Sequence, residues 1–148
     1  YVHPPTEGRT QEAFTQRSIA LFTTVKGLEG SCDISRARTG IIGLNTVNEG
    51  QLKTERLLLH PHEYGFEGAD PAFMPLDDLV MGYRAAIAGE TNEISRSAIW
   101  NSGFYLWRAG RATSIEAGFE LGRSLLATGA VEQQLASVTA AIHCCRNQ

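Results

Sequence analysis

The sequence has no long apolar run, few cysteines and little excess charge, and each shortage excludes a class of protein. No stretch reaches the roughly 18 apolar residues of a membrane-spanning helix, and the first residues lack the charged and then apolar pattern of a secretory signal. The three cysteines are an odd number and two of them are adjacent, so they predict no disulfide framework. We therefore expect a cytoplasmic protein without membrane contacts.

The overall balance of residues is that of an ordinary globular chain. It has 148 residues, of which 43% are hydrophobic and 20% charged, and its formal net charge is −3. This length fits one domain with a sizeable core. The charge argues against a surface that is basic throughout, although it allows a local basic stripe. Near the C-terminus, His143, Cys144 and Cys145 lack the usual spacing of metal ligands, so a helix end is the simpler interpretation.

The first part of the chain alternates between strand-like and helix-like patterns. Residues 1–3 resemble the end of a strand that Pro4 and Pro5 break, residues 7–16 contain helix formers, and residues 19–25 are β-branched and aromatic. A strand, a helix and a strand within about 25 residues predict a βαβ unit with parallel strands.

A hairpin is the next predicted element. Residues 39–47 are apolar, Asn48-Glu49-Gly50 has turn composition, and residues 51–59 alternate loosely between apolar and polar side chains. Residues 60–66 then predict a loop, because a central strand does not pass through Pro61. His60 and His62 in this loop are a conceivable metal site, but no third ligand pattern converges on them.

From Leu76 onward the apolar residues follow a helical period. The pattern predicts four helices, of which the first three end at glycines and the second and third begin at capping residues. Their predicted limits are Leu76 to Gly89, Thr91 or Asn92 to Gly110, a capping box of Thr113 and Glu116 to Gly129, and Ala130 to Ile142. The predicted fold class is therefore α/β, with a mixed sheet packed by helices and a helical C-terminal half.

One segment has the composition of a ligand-binding loop. It reads Lys26-Gly27-Leu28-Glu29-Gly30-Ser31-Cys32-Asp33-Ile34 and leads to Arg36 and Arg38. Two glycines, two acids and flanking basic residues after a buried strand are typical of binding loops at the end of a parallel strand. The binding-loop candidates are Lys26, Gly27, Gly30, Arg36 and Arg38.

Several segments occur in an order that matches a known family. They are Asn101, Gly110 to Ser114, Glu116 to Gly118, and Ser124 to Ala130. Upstream, residues 59–65 read Leu-His-Pro-His-Glu-Tyr-Gly. In this order they resemble the C-terminal end of anthranilate phosphoribosyltransferase and its relatives, whose Leu-x-Pro-Glu-x-Phe-Gly segment has a glutamate where His62 stands. With the binding loop, the resemblance covers nearly the whole chain.

The resemblance implies a fold, an activity and partners. Enzymes of this family transfer the phosphoribosyl group of phosphoribosyl pyrophosphate to anthranilate, with magnesium, in tryptophan biosynthesis. They join a helical N-terminal domain to a larger α/β domain of the nucleoside phosphorylase/phosphoribosyltransferase type, and they form homodimers through the helical domain. Residues 1–142 would be the C-terminal part of the α/β domain, with residues 143–148 as a loose tail, and the upstream helical domain of the parent chain would be a partner.

The binding loop departs from the family at its magnesium site. The family segment His-Gly-x-x-Gly-Leu-Asp-Glu supplies two adjacent carboxylates, which suit magnesium. With Gly30 on the second glycine, Cys32 takes the place of the aspartate and Asp33 that of the glutamate. A thiol is a poor magnesium ligand, so the metal candidates are Asp33 and, from the other side of Gly30, Glu29.

The family's motifs for pyrophosphate do not occur in this sequence. These motifs are Gly-Thr-Gly-Gly-Asp and Lys-His-Gly-Asn, and both lie upstream of the matching region in the family. No other stretch here has a glycine-rich phosphate cradle followed by a helix. We therefore expect the chain to be a fragment of a longer protein, and we expect the fragment alone to be inactive.

A paralogous branch of the family resembles the binding loop more closely. Its members carry Gly-x-Glu-Gly followed by basic residues, lack the magnesium pair, and include proteins that bind nucleic acid. Gly-Leu-Glu-Gly at residues 27–30, followed by Arg36 and Arg38, is similar to this pattern. A solvated loop with ordinary surface charge is the alternative interpretation. The other basic residues that would extend a phosphate-binding stripe are Lys26, Lys53 and Arg56.

Two functions follow from the resemblance. Coverage of most of the chain favours a fragment of a phosphoribosyltransferase, and this is our prediction. The altered acidic pair and the nearby arginines favour a non-catalytic nucleic-acid-binding paralogue of the same fold, which is the alternative.

Overall fold

A computed structural model describes residues 1–27 and 31–146 of the chain. The chain divides into two compact units, Tyr1–Gly68 and Ala69–Gln148. The described residues contain five α-helices and one three-stranded sheet, and about half of the chain is helical. The predicted α/β class and the helical C-terminal half are thus confirmed. None of the helices in the described part has the length and apolar character to cross a membrane.

The first unit consists of an antiparallel sheet and one long helix. The sheet has the order β1-β2-β3, and β2 pairs antiparallel with both neighbours. A short 3-10 helix follows the last strand. The bounds are α1 Pro4–Gln16, β1 Leu21–Val25, β2 Gly40–Asn48, β3 Gln51–Leu59 and the 3-10 helix Pro61–Tyr64.

The predicted βαβ unit is wrong. Pro4 and Pro5 form the first turn of α1, where the missing N–H of proline is tolerated, instead of ending a strand. Tyr1 does lie beside β1, because its backbone nitrogen donates to the Val25 carbonyl oxygen at 2.6 Å. Residues 1–3 nevertheless form no strand. The sheet is antiparallel throughout the described residues, so the prediction of a mixed sheet is wrong as well.

The predicted hairpin is confirmed. Residues pair across it from Asn48 and Gln51 at the turn to Gly40 and Leu59 at the far end. Glu49 and Gly50 form the turn with φ angles of 51° and 76°. A two-residue turn with both φ angles positive matches the right-handed twist of the strands.

Side chains pack against both faces of the sheet beside β1 and β2. On one face Phe14 of α1 packs edge-on against Phe22 of β1, with ring centroids 4.9 Å apart. On the other face Ile34 approaches Leu59 beside Gly40, where an added Cβ would lie 2.7 Å from Ile34 Cγ2. Ile34 and Leu59 are each 1% exposed. The loop after β1 therefore folds back onto the sheet and is held there by its own isoleucine.

The second unit contains four helices. Their bounds are α2 Leu76–Ile87, α3 Glu93–Arg108, α4 Ile115–Ala127 and α5 Ala130–Arg146. Asn92 caps α3 and forms a capping box with Ser95, as the sequence predicts for one of its two candidates. The cap of α4 is Ser114, whose side chain accepts from the Ala117 backbone nitrogen, so the prediction of Thr113 is wrong by one residue. Helix α5 ends four residues beyond the predicted Ile142.

Small residues allow α3 and α4 to approach closely. A Cβ added at Gly118 would lie 2.2 Å from the carbonyl oxygen of Gly103. Beside this crossing, the rings of Trp100 and Phe119 stack with centroids 5.5 Å apart. Trp100 and Phe104 are each 0% exposed, so the crossing of α3 and α4 is the core of this unit.

Candidate anion-binding pocket

The binding loop begins with a tight return of the chain. The backbone nitrogen of Lys26 still donates to the Ile41 carbonyl oxygen at 3.0 Å, so the strand pairing reaches this residue. Gly27 follows and is buried, and a Cβ there would lie 1.9 Å from the Ser31 carbonyl oxygen. Only glycine fits such a close backbone approach. The predicted residues Glu29 and Gly30 lie outside the described part of the chain.

Asp33 forms a local turn with Ser31. Its backbone nitrogen donates to Ser31 Oγ at 3.0 Å, and that hydroxyl donates to Asp33 Oδ2 at 2.9 Å. Asp33 is exposed. Among residues 1–27 and 31–146, no group of three or more His, Cys, Asp or Glu side chains could hold a metal ion. Because Glu29 lies outside the described residues, the magnesium site of Asp33 and Glu29 that the family resemblance implies stays a prediction.

Arg36 and Arg38 lie at a polar pocket of about 180 Å³ in the first unit. We call it the Arg38 pocket. It is lined by Arg36, Ala37, Arg38, Thr39, Pro61, His62 and Glu67. Two guanidinium groups, a hydroxyl and an imidazole are the side chains that proteins use to bind phosphate. The structure thus brings two predicted binding residues together with His62 of the predicted loop at residues 60–66.

The hairpin register explains why the two segments of the pocket meet. Gly40 pairs with Leu59 at the end of β2 and β3, so Thr39 and His60 are the next opposite residues. Thr39 Oγ1 and His60 Nδ1 are 3.0 Å apart and share a hydrogen bond. The rings of His60 and His62 have centroids 5.6 Å apart. The pocket therefore lies at the end of the hairpin opposite its turn, where the segments before β2 and after β3 meet.

Arg36 fixes the wall of the pocket rather than its mouth. It is 1% exposed, and its Nε donates to the Phe66 carbonyl oxygen at 2.9 Å. The backbone nitrogen of Gly68 donates in turn to the Arg36 carbonyl oxygen at 3.4 Å. Arg38 is exposed and presents its charge to solvent. Glu67 is the acidic group at the same pocket, and it opposes the binding of anions.

A second polar cluster joins α1 to the sheet. Glu7 is 7% exposed, accepts from Thr24 Oγ1 at 2.6 Å, and binds both terminal nitrogens of Arg56 at 2.8 and 3.2 Å. Burial alone would raise the pKa of Glu7, but the hydrogen bonds from Arg56, Thr24 and Tyr1 outweigh it and lower that pKa. The hydrogen bond to Glu7 raises the pKa of Arg56.

This cluster removes Arg56 from the predicted basic stripe. Its guanidinium is bound bidentately by Glu7 on the α1 face of the sheet. Lys53 lies an odd number of residues away on the same strand, so its side chain points to the opposite face. Lys53 and Arg56 therefore do not form one continuous phosphate-binding surface.

Three residues of the Arg38 pocket lie outside the set predicted for binding. Thr39, His62 and Glu67 are not among the predicted binding residues: His62 and Glu67 lie far along the chain from the binding loop, and Thr39, next to Arg38, has no charge to distinguish it. A signal for Thr39 was present in the predicted hairpin. Its turn at residues 48–50 sets a register that places Thr39 opposite His60.

No known protein-family model matches this chain, and no curated protein matches it either.

Proposed function

We propose that the chain binds nucleic acid and that the Arg38 pocket holds a phosphate group of the backbone. The observation that carries the proposal is the convergence of Arg38, Thr39 and His62 on one small polar pocket. A guanidinium binds two phosphate oxygens at once, and a hydroxyl and an imidazole supply further donors around it. The buried Arg36 holds the wall in place through Phe66, so the pocket exists before the ligand arrives.

The sequence resemblance supports the same function. The Gly-Leu-Glu-Gly segment followed by two arginines is similar to the nucleic-acid-binding branch of the anthranilate phosphoribosyltransferase family. The loss of the acidic pair points the same way, since Cys32 replaces one carboxylate and Asp33 accepts from Ser31. We propose accordingly that the chain is part of an α/β domain of the nucleoside phosphorylase/phosphoribosyltransferase type, and no step here depends on magnesium.

Fluorescence anisotropy with a labelled single-stranded DNA tests the proposal. We expect binding that weakens as salt increases, since each phosphate contact releases counterions. Arg38→Ala should weaken binding and reduce the slope of log K against log salt by roughly 0.7, the value for one contact to a single strand. Arg9→Ala in α1 changes the net charge equally away from the pocket and serves as the control.

Two outcomes would contradict the proposal. One is the absence of binding, or binding that does not respond to salt. The other is an equal loss of affinity in Arg38→Ala and Arg9→Ala, which would show that net charge acts without a specific site.

Phosphoribosyl transfer to anthranilate is the second candidate function. The ordered segments of the second unit favour it, and a pocket that accepts one phosphate also suits the phosphate of phosphoribosyl pyrophosphate. Because the family's pyrophosphate motifs are absent from this sequence, we propose the activity only for a longer parent protein. An assay of that parent for magnesium-dependent turnover of anthranilate tests it, and turnover no higher than background would exclude it.

A further inference from the structure

Helix α5 exposes a row of large apolar side chains. None of its 17 residues, Ala130–Arg146, is buried. Leu135 is 51% exposed, Val138 44% and Ile142 52%. Helices in proteins owe most of their stability to packing of an apolar face. Helix α4 covers α5 only at the beginning of α5, where Ala130 and Val131 lie near Leu125 and are partly buried.

The exposed row has the geometry of a helix–helix seam. Leu135, Val138, Ile142 and Cys145 follow at spacings of three, four and three residues. At about 100° per residue these side chains fall within roughly 80° of the helix circumference, the narrow stripe of a coiled coil. The spacings of three, four and three residues read the same from either end of the helix. The stripe is therefore complementary to an antiparallel copy of itself.

We propose that α5 is a dimerisation helix, which pairs antiparallel with α5 of a second copy of this chain. In the register that matches the stripe, Val138 packs against the partner's Ile142 and Leu135 packs against the partner's Cys145. Each contact occurs twice, because the two copies are related by a two-fold axis. An isologous contact of this kind closes after two subunits and does not propagate into fibres.

The charges of α5 agree with this pairing. Glu132 lies in the first turn and Arg146 in the last, and both are exposed beside the same edge of the stripe. In the antiparallel register Glu132 comes opposite the partner's Arg146, and the symmetric pair forms at the other end. Edge charges of this type choose partner and orientation in coiled coils. A parallel pair would instead place Glu132 and the partner's Arg146 about 21 Å apart along the helix axis, so this ion pair could not form.

The size of the contact predicts a weak dimer. A 17-residue helix is about 25 Å long, and two such helices side by side bury less than the roughly 800 Å² per partner of a standard interface. The groove between α4 and α5, about 600 Å³ in volume and lined mainly by Leu125, Val131, Leu135 and Val138, gives the partner helix additional apolar surface. We therefore expect the dissociation constant of the dimer to be in the micromolar range or above.

Sedimentation equilibrium of the whole chain under reducing conditions tests the proposal. We expect a monomer–dimer equilibrium, which Leu135→Glu weakens by at least roughly 100-fold because it places two carboxylates in the apolar seam. Glu132→Arg and Arg146→Glu should each weaken the dimer by roughly three- to tenfold, since each creates two like-charge pairs. The combined variant should restore the original affinity to within about twofold.

Gln133→Arg is the control, because position 133 lies on the side of α5 away from the stripe. Circular dichroism checks that every variant keeps its helix content. The proposal is overturned if the unmodified chain is monomeric at all concentrations, if Gln133→Arg weakens the dimer as much as Glu132→Arg, or if the combined charge variant stays as weak as the single ones.

Discussion

Replacement of Glu7 by glutamine should destabilise the first unit in a way that depends on pH. The Glu7 carboxylate accepts from Thr24 and binds Arg56 through two hydrogen bonds. Glutamine keeps the shape of the side chain and removes its charge, and its amide nitrogen meets the donors of Arg56. The substitution therefore tests the charge of this cluster without opening a cavity.

The expected cost at pH 7 follows from the geometry. Hydrogen bonds to charged groups contribute about 1.5–3 kcal/mol each when both partners are buried. The Arg56 side chain is 43% exposed, so water replaces part of what it loses. We therefore expect the free energy of unfolding to fall by about 1–3 kcal/mol in total.

The pH dependence has a definite sign. The pKa of Glu7 is lowered in the folded protein, so its contribution to stability is present above the ordinary value of 4.5 and disappears as pH falls through the lower folded pKa. Below that pH Glu7 is protonated and has nearly the shape and charge of glutamine. The original protein and Glu7→Gln should differ in stability at pH 7 and become equal in acid.

Hydrogen exchange with mass spectrometry locates the effect in the first unit. Protection of residues 21–25 and 40–59 should decrease in Glu7→Gln at pH 7, and urea unfolding followed by circular dichroism gives the change in free energy. Glu12→Gln removes the same charge from an exposed position of α1 and should have little effect. Equal stability of Glu7→Gln and the original protein at pH 7, or a difference that persists unchanged in acid, would refute the reasoning.

Three further substitutions test other parts of the structure. Gly118→Ala places a Cβ 2.2 Å from the Gly103 carbonyl oxygen, so α3 and α4 must separate. We expect the free energy of unfolding in urea to fall by about 3 kcal/mol or more, and an unchanged unfolding midpoint would contradict the close crossing. Asn92→Ala removes the cap of α3 and should cost about 1 kcal/mol in the same measurement, whereas no loss would show that the cap is dispensable. Glu67→Gln removes the acidic group of the Arg38 pocket and should strengthen binding of single-stranded DNA in anisotropy titrations, and weaker binding would place the phosphate elsewhere.

The sequence predicted well those elements whose signals are local. The hairpin turn at Glu49 and Gly50, the strand after it and the cap of α3 at Asn92 depend on neighbouring residues, and the structure confirms them. The helices of the second half follow from the helical spacing of their apolar residues, and these helices also form in the folded protein.

The predictions that failed depended on partners distant in sequence. Residues 1–3 have strand composition, but Pro4 and Pro5 also suit the first turn of a helix, and the helix prevails. Strand direction was inferred from an assumed crossover, whereas β1 pairs antiparallel with β2. Composition alone does not distinguish these arrangements.

The candidate site was predictable in part for the same reason. Arg36 and Arg38 stand out by charge in a short loop, but charge does not reveal that Arg36 is buried against the Phe66 carbonyl while Arg38 is exposed. His62 reaches the pocket through the strand pairing and the 3-10 helix that follows it. The predicted basic stripe includes Arg56, because nothing in the sequence indicates that Glu7 binds it.

Nuclear magnetic resonance titration of the isotope-labelled chain with a single-stranded oligonucleotide tests the central proposal most directly. If the Arg38 pocket holds a backbone phosphate, the backbone amide signals of residues 36–39 and 62–67 should shift progressively and saturate together, and added salt should reverse the shifts. Shifts of that size elsewhere in the chain with none at these residues, or no shifts at low salt, would contradict it.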